Sequence, residues 1–533
     1  MKKVFKYIIV SVLCFAGLNA CIKEDMNVDP NNPKDIPSNS LMSGAEKWIM
    51  DNIYDNWFSG RQCLVYAQYW AQRNYTEEDR YQIRESVNNN YFNYLYQGVA
   101  NLIKVEKLNK DPEFAPGNAV YGANCNQIAA AKILKIWLMD VITNTWGSVP
   151  YSDIAKLESD NIYYCKYDDQ KSLYAALMAE LNEAIEMIDV NEPAFTAGDI
   201  IYEGDAEKWK KFGNSLKCRM AVHVSKVDPN WKTYIAEAVE SGVFESNDDS
   251  AGYKYYGVGT DYCIFYEGFY VEGRNDFSIA KPFYQILAGE ADEANAKTHP
   301  WVGTKDPRLQ FFAKGAGGNK RGMPYGVPSN KTRSLRTAAP NWYSLQPGHL
   351  KTDFKVPMLT YAEVQFILSE YNNFSDAEFK AGIEASVKYW ANIYGGFVET
   401  DELNSYIAAV GAATPEKVAV QKYIDLWMNG TEAWTEIRRT GYPEQLVRPG
   451  EKTGGDALDS SGAITSSVYV DFEPLEEVKG DIIARVKYPT NESTLNGENW
   501  KAAVAKLQDG TNNYYSKMFW DVRTSTYDHP ANK

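Results

Sequence analysis

The sequence predicts a mainly α protein in which helix pairs form a scaffold around a loop-rich, irregular lobe. Three observations carry this. Apolar residues recur at helical spacing through roughly the first 240 positions, the periodicity disappears from 242 to 358, and it returns between 360 and 440.

The first helix is read from Leu41, Ala45, Trp48, Ile49, Ile53 and Trp57. Further helices are expected at 62–73 and 86–108, then around Ile128, Ala131, Ile133, Leu134, Trp137, Leu138 and Val141, and at 170–189, 206–226 and 231–241. Short connections favour antiparallel neighbours, and pairs of this kind suggest tetratricopeptide-like units. No clean repeat of about 34 residues survives in the letters, so any such repeat has degenerated. Clusters of Gly, Pro, Tyr and Asn, such as Gly315-Ala316-Gly317-Gly318, then take over, and long ordered loops are where binding function concentrates. Helices resume at 360–369, 376–394 and 415–439, and the tail from 443 turns irregular. The scaffold is therefore assigned to 41–241 and 360–440, and the lobe to 242–358 and 443–533, within a single domain spanning 41–533.

Ahead of this domain, Lys2, Lys3 and Lys6 precede an apolar run from Tyr7 to Leu18, too short to span a bilayer and typical of a signal peptide occupying 1–20. The run closes on Leu18-Asn19-Ala20-Cys21, a lipobox, so Cys21 is the expected lipidation site and the new N-terminus. Several acyl chains on one cysteine hold durably, at about 0.8 kcal/mol per buried methylene. Residues 21–40 are read as the lipidated N-terminus and linker, rich in Asn, Asp and Pro.

Composition narrows the function. The chain has 533 residues and a net charge of −15; losing residues 1–20 removes three lysines and no acid, which takes the charge to −18. Such a surface argues against nucleic acid or an anionic membrane as ligand. Beyond Cys14 and Cys21, the thiols Cys63, Cys125, Cys165, Cys218 and Cys263 form no Cys-x-x-Cys; their odd number leaves at least one unpaired, and Cys125 and Cys218 sit in helical, apolar stretches that suit buried thiols. The four histidines show no ligand spacing, so no metal site is assigned. No nucleophile elbow, phosphate loop or dinucleotide fingerprint appears, and no catalytic residue is assigned. No cofactor is expected; residues 456–462 hold acids and glycine but lack the spacing of a calcium loop, which leaves structural calcium an unsupported alternative.

Five ordered stretches together resemble the SusD/RagB family of Bacteroidetes surface nutrient-binding lipoproteins, and its SusD-like branch in particular. They are Asn27-Val28-Asp29-Pro30-Asn31-Asn32-Pro33, Thr145-Trp146-Gly147-Ser148-Val149-Pro150-Tyr151-Ser152-Asp153, the helix from Pro357 to Glu370, the segment from Gln421 through Arg438-Arg439-Thr440-Gly441-Tyr442-Pro443, and Arg485 to Asn499 with Lys517-Met518-Phe519-Trp520-Asp521. The departures are small: Tyr371 where a small residue often follows the glutamate, and Phe519 where a second tryptophan is common. The resemblance implies a scaffold of four tetratricopeptide-like helix pairs and a non-enzymatic protein that binds a glycan or oligosaccharide for delivery to a SusC-type TonB-dependent transporter. It also implies an outer-membrane location, lipid-anchored, and Ile22-Lys23-Glu24-Asp25 resembles the signal that directs such lipoproteins to the cell exterior. Peptide cargo is the alternative, a surface glycosidase the more distant one.

The matched motifs themselves read as scaffold. Val364, Ile367 and Leu368 form an apolar stripe, Glu363 and Glu370 suit caps or ion pairs, and Arg438 and Arg439 suit a solvated helix C-terminus. Ligand residues are sought among aromatics outside helical periodicity, because sugar rings stack their C–H faces on them while Asn, Asp and Arg bind hydroxyls. One group is Tyr66, Tyr69, Trp70, Arg73, Tyr75 and Tyr81; another is Tyr262, Phe265, Tyr266, Phe269 and Tyr270, with Trp301, Tyr325, Trp342 and Tyr343. Within them, Trp70, Arg73, Tyr75, Trp301 and Trp342 are the predicted ligand-binding residues.

Overall fold

A computed structural model describes residues 36–157, 160–274, 276–313, 321–337, 351–459, 461 and 463–524. Cys21 and Trp342 lie outside these residues, as do Tyr343 and the 315–318 glycine cluster. Helices α1 (Ser38–Ile53), α2 (Glu85–Lys110), α3 (Asn124–Trp146), α4 (Gln170–Glu186), α5 (Ala206–His223) and α6 (Trp231–Ser241) each pack against their successor. After the lobe, which contributes α7 (Lys281–Ala288), come α8 (Tyr361–Tyr371), α9 (Asp376–Ile393), α10 (Thr400–Val410), α11 (Pro415–Asp425) and α12 (Gly430–Thr440). Strands occur only in two-stranded ribbons among the described residues, so the fold is mainly α, as expected. No described helix is long and apolar enough to cross a membrane.

Local chemistry sets many of these boundaries. Asp169, Asp205 and Thr360 cap α4, α5 and α8, their side chains accepting from the backbone N–H of Ser172, Lys208 and Glu363 at 3.2, 3.0 and 3.0 Å. Helix α3 is buried on almost every face, so it is the central element; its Lys135 is tolerated there because Glu106 and Glu180 hold it at 2.5 and 2.9 Å.

Two expectations are corrected. The helix read at 62–73 ends at Tyr66, and Trp70–Gln72 instead forms strand β1, antiparallel to β2 (Phe277–Ile279). The cause is tertiary: Gln68 turns into the left-handed region at φ 54°, and its amide is held there by the N–H and C=O of Val447 at 2.9 and 2.7 Å. The single helix read at 415–439 is two, because Met428 adopts φ 70° and Asn429 starts the second by accepting from Glu432 N–H.

The lobe is fastened to the scaffold by aromatic and ionic contacts. Phe283 of α7 stacks on Trp427 at 5.2 Å and Phe312 does so at 4.9 Å, while Tyr69 stacks on Tyr423 at 4.7 Å. Arg308 of the lobe grips Asp306 at 3.0 and 2.6 Å, and reaches Ser386 of α9 and Gln421 of α11 at 2.7 and 2.6 Å.

A buried charge network ties the scaffold helices together. Arg219 binds Glu363 through two hydrogen bonds of 2.8 and 2.5 Å, and Arg439 binds Glu370 and Glu436, two bonds to each, at 2.8–2.9 Å. Arg438, with no exposed surface, donates to the carbonyls of Trp434, Ala484 and Asn144 and lies 3.6 Å over the Trp434 ring. The expectation of a solvated Arg438-Arg439 pair is thus corrected: the next segments of chain cover this helix end, and each guanidinium is buried with its acceptors. Glu363 and Glu370 are ion-pair partners.

Candidate ligand-binding face

The face worth building up begins where α1 stops. Past Ile53, the Asp55 carboxylate accepts from the N–H groups of Phe58 and Ser59 at 2.9 and 2.8 Å, which folds the chain into a tight turn with Trp57 at its tip. Burial pushes the Asp55 pKa up to about 7. Trp57 is 36% exposed, in contrast to the nine described tryptophans that are exposed by 2% or less. One side of it borders a depression of about 350 Å³ lined by Asn52, Ser86, Asn90, Tyr91 and Tyr94. Amides and a hydroxyl beside aromatic rings are the combination that hydroxyl-rich ligands need.

Arginines surround the same ring. The guanidinium carbons of Arg61, Arg274 and Arg84 lie 4.9, 5.8 and 5.9 Å from its centroid. Arg61 is sandwiched between Trp57 and Phe277, whose centroid is 5.3 Å away, and reaches Asp276 at 3.2 Å. Arg84 pairs with Glu78 at 2.9 Å.

Two loops extend this face. The backbone N–H of Arg73 donates to the Asp276 carbonyl at 2.7 Å, and Thr76 is held by Val327 O and Ser329 Oγ at 2.6 and 3.0 Å. Between these anchors Tyr75 is 57% exposed and held at φ 56°, a conformation costly for a non-glycine residue and a pointer to function when the surroundings impose it. On the other flank, Tyr262, Tyr266 and Tyr270 form a half-exposed ladder with ring spacings of 5.7 and 4.9 Å. Asn56 joins this ladder to the Trp57 turn by donating to Ile264 O at 3.3 Å, and Gly268 lacks the Cβ that would overlap that amide.

Of the residues predicted to bind ligand, Arg73 and Tyr75 lie on this face. Trp70 does not: it has no exposed surface, with Phe265, Phe277 and Phe269 at 5.3, 4.9 and 5.7 Å around its ring. Trp301 is 2% exposed against His299, so neither indole offers a free face for stacking. Burial claims them because each packs where the lobe meets the scaffold or itself. Trp57 is not among the ligand-binding residues predicted from the sequence because it continues the apolar periodicity of α1; only the position of the helix end exposes it. The three arginines around it come from segments up to some 200 residues apart, and no spacing rule links them.

A second depression, of about 240 Å³, is lined by Lys281, Tyr284, Glu290, Arg321, Asp456 and Tyr469. Its cations are already engaged, Lys281 with Gly454 O at 3.1 Å and Arg321 with Asp456 O at 3.3 Å. The acids at 456–462 serve the hairpin of β3 (Lys452–Leu458) and β4 (Ile464–Asp471): Asp456 accepts from Ser467, and Asp459 closes the tip by accepting from Ser461 and Ala463.

Asp140, His223 and Glu432 bring three potential metal-binding atoms within 4.8 Å of one another. They are engaged otherwise. His223 Nε2 lies 2.8 Å from Glu432 and Nδ1 3.0 Å from the Tyr174 hydroxyl, which donates to Asp140 at 2.6 Å. Burial pulls the imidazole pKa down, but Glu432 and Asp140 outweigh it and push it up to about 9, so both nitrogens carry protons near neutrality. A metal would have to displace them with Arg219 only 3.9 Å from Glu432. The group is an ion network.

Residues 30–464 match the SusD-like family described as starch-binding and associating with the outer membrane, and 411–521 match the SusD and RagB outer-membrane lipoproteins. The chain belongs to the SusD-like family. Solved SusD-like structures share its fold: a SusD homologue from Parabacteroides distasonis gives a TM-score of 0.72 at 18% identity, covering 91% of this chain and 98% of that one. A chitin-binding SusD homologue from Flavobacterium johnsoniae gives 0.67 at 21% identity, covering 91% and 100%. One from Bacteroides thetaiotaomicron gives 0.67 at 19%, covering 92% and 100%. No curated protein sequence matches this SusD-like chain.

Proposed function

We propose that this protein is a non-enzymatic glycan-binding lipoprotein, anchored through Cys21 on the outer face of the outer membrane, that passes its ligand to a SusC-type TonB-dependent transporter. The observation that carries the reading is the half-exposed Trp57 ring beside a depression of about 350 Å³ lined with amide, hydroxyl and aromatic groups. The family description as starch-binding supports the ligand class, and so does the chitin-binding character of the Flavobacterium relative. Trp57 supplies the stacking platform, Asn52, Ser86 and Asn90 the hydroxyl partners, and Tyr75, Arg73 and the Tyr262–Tyr266–Tyr270 ladder the flanking walls.

The test is calorimetry of the mature chain against a panel of neutral and charged oligosaccharides. For whichever binds, Trp57→Ala is expected to raise Kd about 30-fold, as removal of a central aromatic anchor costs about 2 kcal/mol. Trp70→Ala at the enclosed ring should act on stability instead. Unchanged affinity in Trp57→Ala removes this face from the binding reaction, and turnover of any bound glycan by the purified chain removes the non-enzymatic assignment.

A further inference from the structure

Resting on that reading, we infer that the ligand is an anionic glycan, one whose carboxylate or sulfate groups meet the arginines around Trp57 while a sugar ring stacks on the indole. The chain as a whole carries a net charge of −15, so an arbitrary surface patch should be acidic. This one is not. Three guanidinium groups converge within 6 Å of one exposed aromatic ring, and only two of them have acids within ion-pairing distance, Arg61 on Asp276 and Arg84 on Glu78. Arg274, exposed, has no carboxylate partner among the described residues. Arg61, 3% exposed, keeps Nε and Nη1 without a hydrogen-bond acceptor among them, a deficit a buried guanidinium does not ordinarily carry. Arg73 begins the neighbouring loop, with its N–H on the backbone of Asp276.

Such an arrangement repels itself unless something negative completes it. Asp276 and Glu78 offset two of the three charges, so a neutral sugar would use Trp57 and leave the charge of Arg274 uncompensated. A uronate or sulfate ester offers the planar or tetrahedral oxygens that guanidinium binds by two parallel hydrogen bonds, and Arg does this better than Lys because its donors are fixed in a fork. The aromatic ring supplies stacking, and the surrounding arginines supply charge selection.

The decisive experiment compares matched backbones with and without charge, using the mature full-length chain. Oligogalacturonates are set against their methyl esters, and chondroitin sulfate oligosaccharides against desulfated ones; the two arms separate carboxylate from sulfate recognition. At least one charged member is expected to bind at least tenfold tighter than its neutral counterpart, and to weaken as salt rises from 50 to 500 mM, since ions screen such contacts over a Debye length of about 10 Å or less at and above 0.1 M. Arg274→Ala is expected to lose about tenfold for the charged ligand and nothing for the neutral one, with Arg274→Lys in between. Arg274 is exposed, so its variants should keep the wild-type melting curve, which is the control for folding. If neutral glycans bind as tightly as charged ones, or Arg274→Ala leaves the charged ligand's affinity unchanged, the charge inference falls; Trp57→Ala abolishing neutral binding would still leave the glycan-binding role standing. If no oligosaccharide of either class binds, both fall together.

Discussion

Glu363→Ala is expected to lower the free energy of unfolding by about 3–5 kcal/mol, because it strands a buried positive charge. Arg219 and Glu363 are 1% and 0% exposed, and Glu363 also lies 3.6 Å from Lys422. Removing the carboxylate leaves the buried Arg219 with Met358 O at 2.8 Å and a longer contact to Glu432. Replacing both members by apolar residues of similar size, Arg219→Met with Glu363→Leu, is expected to recover much of the loss, since the desolvation of both charges disappears along with their attraction. Urea denaturation of the two variants measures this. A loss below about 1 kcal/mol for the single variant would mean that solvent reaches the pair, the range seen for exposed ion pairs.

His223 should make stability depend on pH in the alkaline direction. Its folded pKa of about 9 lies above the unfolded value near 6.5, so its contribution is fully present below about pH 6.5 and is lost as pH rises through 9. The groups facing it are Glu432, Asp140, Tyr174 and Glu436, the last at 3.9 Å. The contribution is on the order of 3 kcal/mol, since the pKa rises from 6.5 to about 9 and each tenfold change in proton affinity is about 1.4 kcal/mol. Glu432 is the acid half of the same pair: burial opposes its ionisation, but His223 and Arg219 hold its pKa well below the usual carboxylate range, so its share is present above about pH 4.5 and lost as pH falls below that range. Other buried acids also titrate, Asp55 near 7 among them, so the comparison that isolates the imidazole is wild type against His223→Gln. The stability gap between the two should narrow steadily from pH 6.5 to 9. A gap that stays constant across that range would show that His223 is neutral in the folded protein.

Much of the scaffold was legible in the sequence. The helix at 231–241 matches the observed Trp231–Ser241, and the expected 86–108, 170–189 and 376–394 differ from the observed helices by three residues or fewer at each end. These segments carry their own instructions, an apolar stripe at helical period joined in two of them by a capping side chain, Asp169 and Ser375, and burial of that stripe suits any packed arrangement. The failures cluster where two distant segments meet. At 62–73 the letters are as helical as elsewhere, yet Val447 fastens Gln68 and Phe277–Ile279 pairs with Trp70–Gln72. Helices α7 and α10 fell inside stretches too short or too irregular for periodicity to register.

The candidate face follows the same division. Aromatic enrichment outside the helices pointed to two neighbourhoods, around 66–81 and 262–270, which hold the exposed Tyr75 beside the half-buried Arg73 and the half-exposed Tyr262–Tyr266–Tyr270 ladder. It could not separate Trp70, enclosed by three phenylalanines, from Trp57, left half-exposed sixteen residues after α1's Leu41 opens the stripe. By itself the sequence determined the class of fold, the membership of the SusD-like family and the acidic character of the chain, because these depend on composition, on period and on short contiguous motifs. Only the tertiary structure decided which aromatic faces solvent, which arginines gather round it and which charges vanish into the core. Exposure and charge proximity belong to the packing of segments hundreds of residues apart, and no local pattern of letters contains them.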